Sequence, residues 1–140
     1  MKKQLFLICF LLFAIVSCKP KLTNQKVNKK REGLWTEKYS LDSSYYKSIG
    51  QYKNDEPIKK WRYYLNGKII KKEKYKASFC KTKLYHENGT LQSRGNTVLD
   101  TSGKYPHWYY DGQWKTYNKK GKLISRRTYR EGQLLTEKIQ

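Results

Sequence analysis

Trp61-Arg62-Tyr63-Tyr64-Leu65-Asn66-Gly67-Lys68-Ile69 is the stretch whose reading decides the fold. Both central residues of a type I′ turn need positive φ, which Asn and Gly tolerate. Asn66-Gly67 between two runs rich in aromatic and β-branched residues therefore predicts a β-hairpin closed by a two-residue turn. The stretch recurs as Trp114-Lys115-Thr116-Tyr117-Asn118-Lys119-Lys120-Gly121-Lys122-Leu123, where Lys119-Lys120-Gly121 suits a three-residue loop. A degenerate copy runs Leu84-Tyr85-His86-Glu87-Asn88-Gly89-Thr90-Leu91, with Asn88-Gly89 expected to close a second two-residue hairpin. An apolar residue follows each Gly by two positions (Ile69, Leu91, Leu123). A Tyr follows by eight in two copies (Tyr75, Tyr129), and Thr97 takes that place in the third. A first copy starts at Gly33-Leu34-Trp35 and returns from Tyr46 to Tyr52 around Asp42-Ser43-Ser44.

Counting outward from the turns sets Tyr64 opposite Ile69, Tyr117 opposite Leu123 and His86 opposite Leu91 on one face of the sheet. Trp61 and Trp114, three positions before their Tyr, fall on the other face. No apolar stripe of period 3.6 runs through residues 32–140, so helices are not expected there. The fold class that follows is all-β: an elongated antiparallel sheet of successive β-hairpins, after an N-terminal signal helix and a flexible tether.

The units from Tyr52-Lys53-Asn54-Asp55 through Asn66-Gly67-Lys68-Ile69, and from Gly112-Gln113-Trp114 through Tyr129-Arg130-Glu131-Gly132, resemble the MORN-repeat variant of bacteria. The resemblance covers roughly residues 32–135. It implies a row of stacked hairpins in one twisted sheet. Asp55 stands where that pattern usually has Gly, the third copy lacks the Trp, and Asp100–His107 reads as an insertion before Trp108. Irregularity is therefore expected near residues 76–108. Some proteins with such repeats are labelled as antitoxin components, so the resemblance also implies an alternative role, as an antitoxin-like or immunity-like partner of a toxin.

The chain has 140 residues, enough for one modest domain. It carries 31 Lys and Arg against 11 Asp and Glu, a formal charge of +20. Aromatic residues make up 15%, which sets it apart from a disordered basic tail. Lys2 and Lys3 precede the apolar run Leu5–Val16, which is too short for a standard membrane span and fits the core of an export signal. Ile15-Val16-Ser17-Cys18 resembles the lipobox of bacterial lipoproteins. The resemblance implies cleavage before Cys18, lipidation of its thiol and acylation of the new N-terminus. Three segments follow: residues 1–17 as lipoprotein signal peptide, 18–31 as lipidated Cys and basic linker, and 32–140 as a MORN-like β-repeat domain. Lys19 in the next position favours the outer membrane by resemblance to Gram-negative sorting, giving an envelope protein anchored on the periplasmic side.

Chemistry-bearing constellations are sparse. Cys9 leaves with the leader and Cys18 is taken by lipid, so Cys80 has no partner for an intramolecular disulfide. Cys80, His86 and His107 lack the spacing of a zinc site. No orienting group or oxyanion loop accompanies Cys80 and His86, and Asp55-Glu56 and Asp111-Gly112 read as turns. No phosphate-binding loop or nucleotide fingerprint occurs. The expectation is a protein that is not an enzyme and needs no metal or cofactor. Lys59, Lys60, Arg62, Lys68, Lys71, Lys72 and Lys74 form one dense basic stretch, and Arg126, Arg127 and Arg130 another. Such residues among aromatics would suggest nucleic acid in a cytosolic protein, but export points instead to anionic lipid, acidic polysaccharide or an acidic protein. The expected function is a membrane-anchored binding or scaffold module acting through a basic aromatic sheet surface. Cys18 is the expected lipidation site, and Arg62, Tyr64, Lys71, Lys115 and Tyr117 are the expected binding residues.

Overall fold

The computed structural model describes residues 22–140. The expected signal peptide, Cys18 and the start of the expected linker lie outside the described residues. Ten strands follow one another as β1 (Gln25–Val27), β2 (Lys30–Leu41), β3 (Ser44–Lys53), β4 (Glu56–Leu65), β5 (Lys68–Lys76), β6 (Phe79–Tyr85), β7 (Leu91–Asp100), β8 (His107–Tyr117), β9 (Leu123–Arg130) and β10 (Gln133–Ile139). Each pairs antiparallel with the next, so sheet order equals chain order. The described residues thus form one open, all-β sheet of successive hairpins, as the repeats predict. The sheet starts earlier than expected. Gln25–Val27 pairs with Lys30–Glu32, so the second half of the basic linker is strand rather than tether.

The turns show why the chain reverses where it does. Asn66 (φ 49°) and Gly67 (φ 78°) form the predicted two-residue turn between Leu65 and Lys68. Asn28-Lys29, Asn54-Asp55 and Glu131-Gly132 also take positive φ at both positions. Asp55 tolerates φ 71° because its carboxylate is engaged. It accepts the Arg31 backbone N–H at 2.8 Å and Nε at 2.9 Å, which also holds its carboxyl below the usual carboxylate range. The third hairpin differs from expectation. Tyr85, not His86, faces Leu91, and Glu87-Asn88-Gly89 is a three-residue loop inside the His86–Thr90 backbone bond. It matches the Lys119-Lys120-Gly121 loop inside Asn118–Lys122, with His86 in the place of Asn118.

Irregularity is not confined to residues 76–108 either. Strands β5 and β6 pair without a register shift, whereas shifts occur in β3–β4, β4–β5, β6–β7, β7–β8, β8–β9 and β9–β10. They follow the repeat. In three hairpins the returning strand carries one extra residue three positions after the Gly: Ile70, Gln92 and Ile124. Asp100–His107 does form an insertion, a loop across the end of a lengthened β7–β8 pair.

A single sheet has no second layer, so its core must lie on one face. Trp61 (2% exposed) and Trp114 (8%) occupy equivalent places there. Each indole lies over a Gly of the preceding strand, Gly50 or Gly95, where a Cβ would fall inside the ring. Each donates its N–H to the carbonyl of the residue after that Gly: Gln51 at 3.2 Å and Asn96 at 2.9 Å. Two positions before each Trp the backbone takes positive φ, at Lys59 (59°) and Gly112 (67°). Tyr52 and Tyr63 flank Trp61, and Tyr110 flanks Trp114. The cores are therefore two tryptophan seats bridged by Glu73, Thr82 and Cys80 on the strands between.

Candidate functional site

Residues directly opposite each other in an antiparallel sheet share a face. Following the pairs across the face away from the tryptophans gives Arg62–Lys72–Lys83–Arg94–Lys115–Arg126–Lys138. Seven consecutive strands, β4 to β10, each contribute one cation to this row. Strands lie about 4.8 Å apart, so the row runs for about 28 Å. Beside it, Lys60–Lys74–Lys81 forms a second, shorter row on β4–β6. The two rows line an open trough of about 400 Å³. A second trough continues it past Lys81 and Lys83 to Arg94 and Lys115. Six of the seven side chains in the long row are exposed, and Lys115 is half-buried. Among the described residues, the ion pairs involve Arg31, Lys71, His107 and Arg127, and none uses a member of this row.

The repeat generates the row. In each of three hairpins a cation sits two positions before the Tyr of the outgoing strand and five after the Gly: Arg62 and Lys72, Lys83 and Arg94, Lys115 and Arg126. The tyrosines form a parallel line on the same face, each opposite an aliphatic residue: Tyr64–Ile69, Tyr85–Leu91 and Tyr117–Leu123. Lys72 lies 4.9 Å from the centre of the Tyr85 ring, and Arg94 5.9 Å from that of Tyr117. The site thus combines a line of cations with a line of half-buried aromatic rings.

Of the residues expected to bind, Arg62, Tyr64, Lys115 and Tyr117 lie on this face. Lys71 does not. Uninterrupted pairing from Asn66-Gly67 would set Lys71 opposite Arg62, but the extra residue Ile70 puts Lys72 there. Lys71 turns to the tryptophan face, 3.9 Å above the Tyr63 ring and 3.0 Å from the Glu73 carboxylate. Lys83, Arg94 and Lys138 escape a reading of the chain residue by residue, and Lys72 and Arg126 show there only as members of the two basic stretches. The signal for Lys72, Arg94 and Arg126 is the offset of five from Gly, which shows itself only once the bulge is known, whereas Lys83 precedes Tyr85 by two and Lys138 stands outside the offset.

Searches against family profiles, curated proteins and solved structures found no match.

The opposite face holds a polar cluster. The Glu73 side chain, 11% exposed, accepts hydrogen bonds from the Tyr63 hydroxyl at 2.6 Å and the Tyr75 hydroxyl at 2.8 Å. Burial, and then the adjacent carboxylate, pushes both phenols far above their ordinary range. Cys80 is 1% exposed, with its thiol 3.8 Å from the Thr82 hydroxyl, and burial raises its pKa. A buried thiol of raised pKa is a poor nucleophile. His86 Nε2 is 2.9 Å from the Tyr117 carbonyl, in a loop, and His107 lies 3.8 Å from Asp100. Among the described residues no three His, Cys, Asp or Glu side chains converge on a point where they could hold a metal.

Proposed function

We propose that this chain is a lipid-anchored envelope protein, without enzymatic activity, that holds an anionic partner against its cationic sheet face. One observation carries the proposal: seven successive strands present an unpaired cation at the same level of one face. Aligned like charges repel, which destabilises a sheet. A counter-charge that spans them removes the penalty, and none is supplied from within the described residues. The likeness of Ile15-Val16-Ser17-Cys18 to a lipobox supports the anchor, and the likeness of the repeats to MORN units supports a binding role over a catalytic one. With β1 starting at Gln25, the chain from Cys18 reaches at most about 25 Å, so the proposed anchor keeps the sheet close to the bilayer.

The test is twofold. Mass spectrometry of the native N-terminal peptide is expected to find Cys18 carrying diacylglycerol, and an unmodified thiol behind an intact leader removes the anchor. Binding to a carboxylated matrix is expected to weaken steeply as salt shortens the Debye length from about 30 Å to about 3 Å. Arg94→Ala should weaken that binding, whereas Lys71→Ala, on the other face, should not. Binding insensitive to both salt and Arg94→Ala overturns the proposal.

A further inference from the structure

We infer that the anionic partner is a linear acidic polysaccharide that lies across the strands, along the row from Arg62 to Lys138. This rests on the reading above that the cationic face is the binding face. Two observations and one general property of sheets favour a chain of acidic sugars over a flat membrane or a compact anion. The first is length. The cations form a line, one per strand, about 28 Å long and extending well beyond any single trough. A small anion would use two or three of them and leave the rest in mutual repulsion.

The second is twist. Strands in sheets are rotated against their neighbours by about 20–25° on average, so a row crossing six strand intervals is expected to turn through more than about 100°. A flat bilayer cannot touch both ends of such a row together. A flexible polymer can follow it. The third is the line of aromatic rings. Tyr64, Tyr85 and Tyr117 stand on alternate strands, about 9.6 Å apart, each two residues along its strand from a cation of the row. Carboxylates meet the Lys and Arg heads, while the C–H faces of pyranose rings pack on amphipathic aromatic rings. A platform on every second strand beside a cation on every strand fits a polymer with an extended sugar repeat and regularly placed acids.

The experiment uses the mature chain, residues 18–140 without the leader and carrying Cys18→Ala, so that neither an acyl group nor the apolar run Leu5–Val16 can itself insert into vesicles. Isothermal titration with oligogalacturonates of increasing length should give affinity that rises from the dimer until the oligomer spans about 28 Å and then levels off. Lys83→Glu with Arg94→Glu should reduce affinity for the longest oligomer by more than about tenfold. Lys83→Gln with Arg94→Gln serves if charge reversal disturbs folding. The loop pair Lys104→Glu with Lys119→Glu, of equal charge change, should leave affinity unchanged. Affinity independent of oligomer length overturns the proposed alignment. Row-dependent binding that is tighter to phosphatidylglycerol vesicles or to oligothymidylate overturns the polysaccharide while leaving the cationic face as the site. Absence of row-dependent binding to all three probes overturns both.

Discussion

At the scale of single residues, stability concentrates where an indole meets a glycine. Trp61→Ala and Trp114→Ala each empty the only large buried volume on their part of the sheet and should cost about 3–5 kcal/mol in urea denaturation. Gly50→Ala and Gly95→Ala should be comparably disruptive, because the added methyl must displace a ring held by its own N–H bond. Lys59 bears a left-handed backbone in the place where the equivalent repeat has Gly112. Lys59→Gly is therefore expected to stabilise by up to about 1 kcal/mol, measured as a higher urea midpoint. The phenols of Tyr63 and Tyr75 give a pH signature. Their folded pKa values lie above the unfolded value of 10.0, so the folded state holds protons that the unfolded state releases. Stability from this source is complete below pH 10 and declines as pH rises beyond it. Tyr75→Phe should flatten the alkaline decline. An unchanged slope would mean that the phenol is neither desolvated by burial nor held by Glu73.

At the scale of elements, each hairpin is a local decision followed by a correction. The turn residues select where the chain reverses, and the extra residue three positions after the Gly then shifts the returning strand by one. That shift puts Lys72, Arg94 and Arg126 on the face of Arg62, Lys83 and Lys115. Deleting Ile70 should remove the bulge and restore simple pairing from Asn66-Gly67 while keeping Lys71 opposite Tyr63 and Lys72 opposite Arg62. Lys71 would then keep the Glu73 carboxylate, and the deletion should cost little beyond the contacts of the half-buried Ile70, read as a small fall in melting temperature. Neighbouring hairpins are also tied together at their turns. The Asn66 Oδ1 accepts the Tyr45 N–H at 2.7 Å, so Asn66→Gly keeps the turn but loosens the β2–β3 hairpin beside it. Hydrogen exchange should show the faster opening at Tyr45 rather than within β4–β5.

At the scale of the whole molecule, charge is divided between faces. Glu37, Glu73 and Glu137 share the face of the tryptophans, where Arg31, Lys71 and Arg127 meet them. The other face gathers the long row of cations without acidic partners in it. The sheet is therefore expected to be held back by its own repulsion at low ionic strength. Raising salt from about 0.01 M to about 1 M should raise the melting temperature, and Lys83→Glu should raise it at low salt and have little effect at high salt. A fall in melting temperature with added salt would show that attraction on the tryptophan face outweighs repulsion on the other. A bound polyanion should produce the same rise without salt.

The amino-acid sequence alone determined the architecture, because its decisive signals are local. Asn-Gly pairs and Gly-ended loops can adopt few backbone conformations, the flanking runs favour extended chain, and repetition makes each hairpin the template for the next. It also placed Trp61 opposite in face to Tyr64, since alternation along one strand needs no partner. Only the tertiary structure decided which cations stand together. A strand's register depends on a neighbour's backbone, and one extra residue turns every later side chain to the other face. Ile70, Gln92 and Ile124 look like ordinary strand residues, so nothing beside them in the chain announces the slip. For the same reason Lys71 was legible as basic but not as a partner of Glu73, and Gly50 and Gly95 were legible as glycines but not as the seats of two tryptophans.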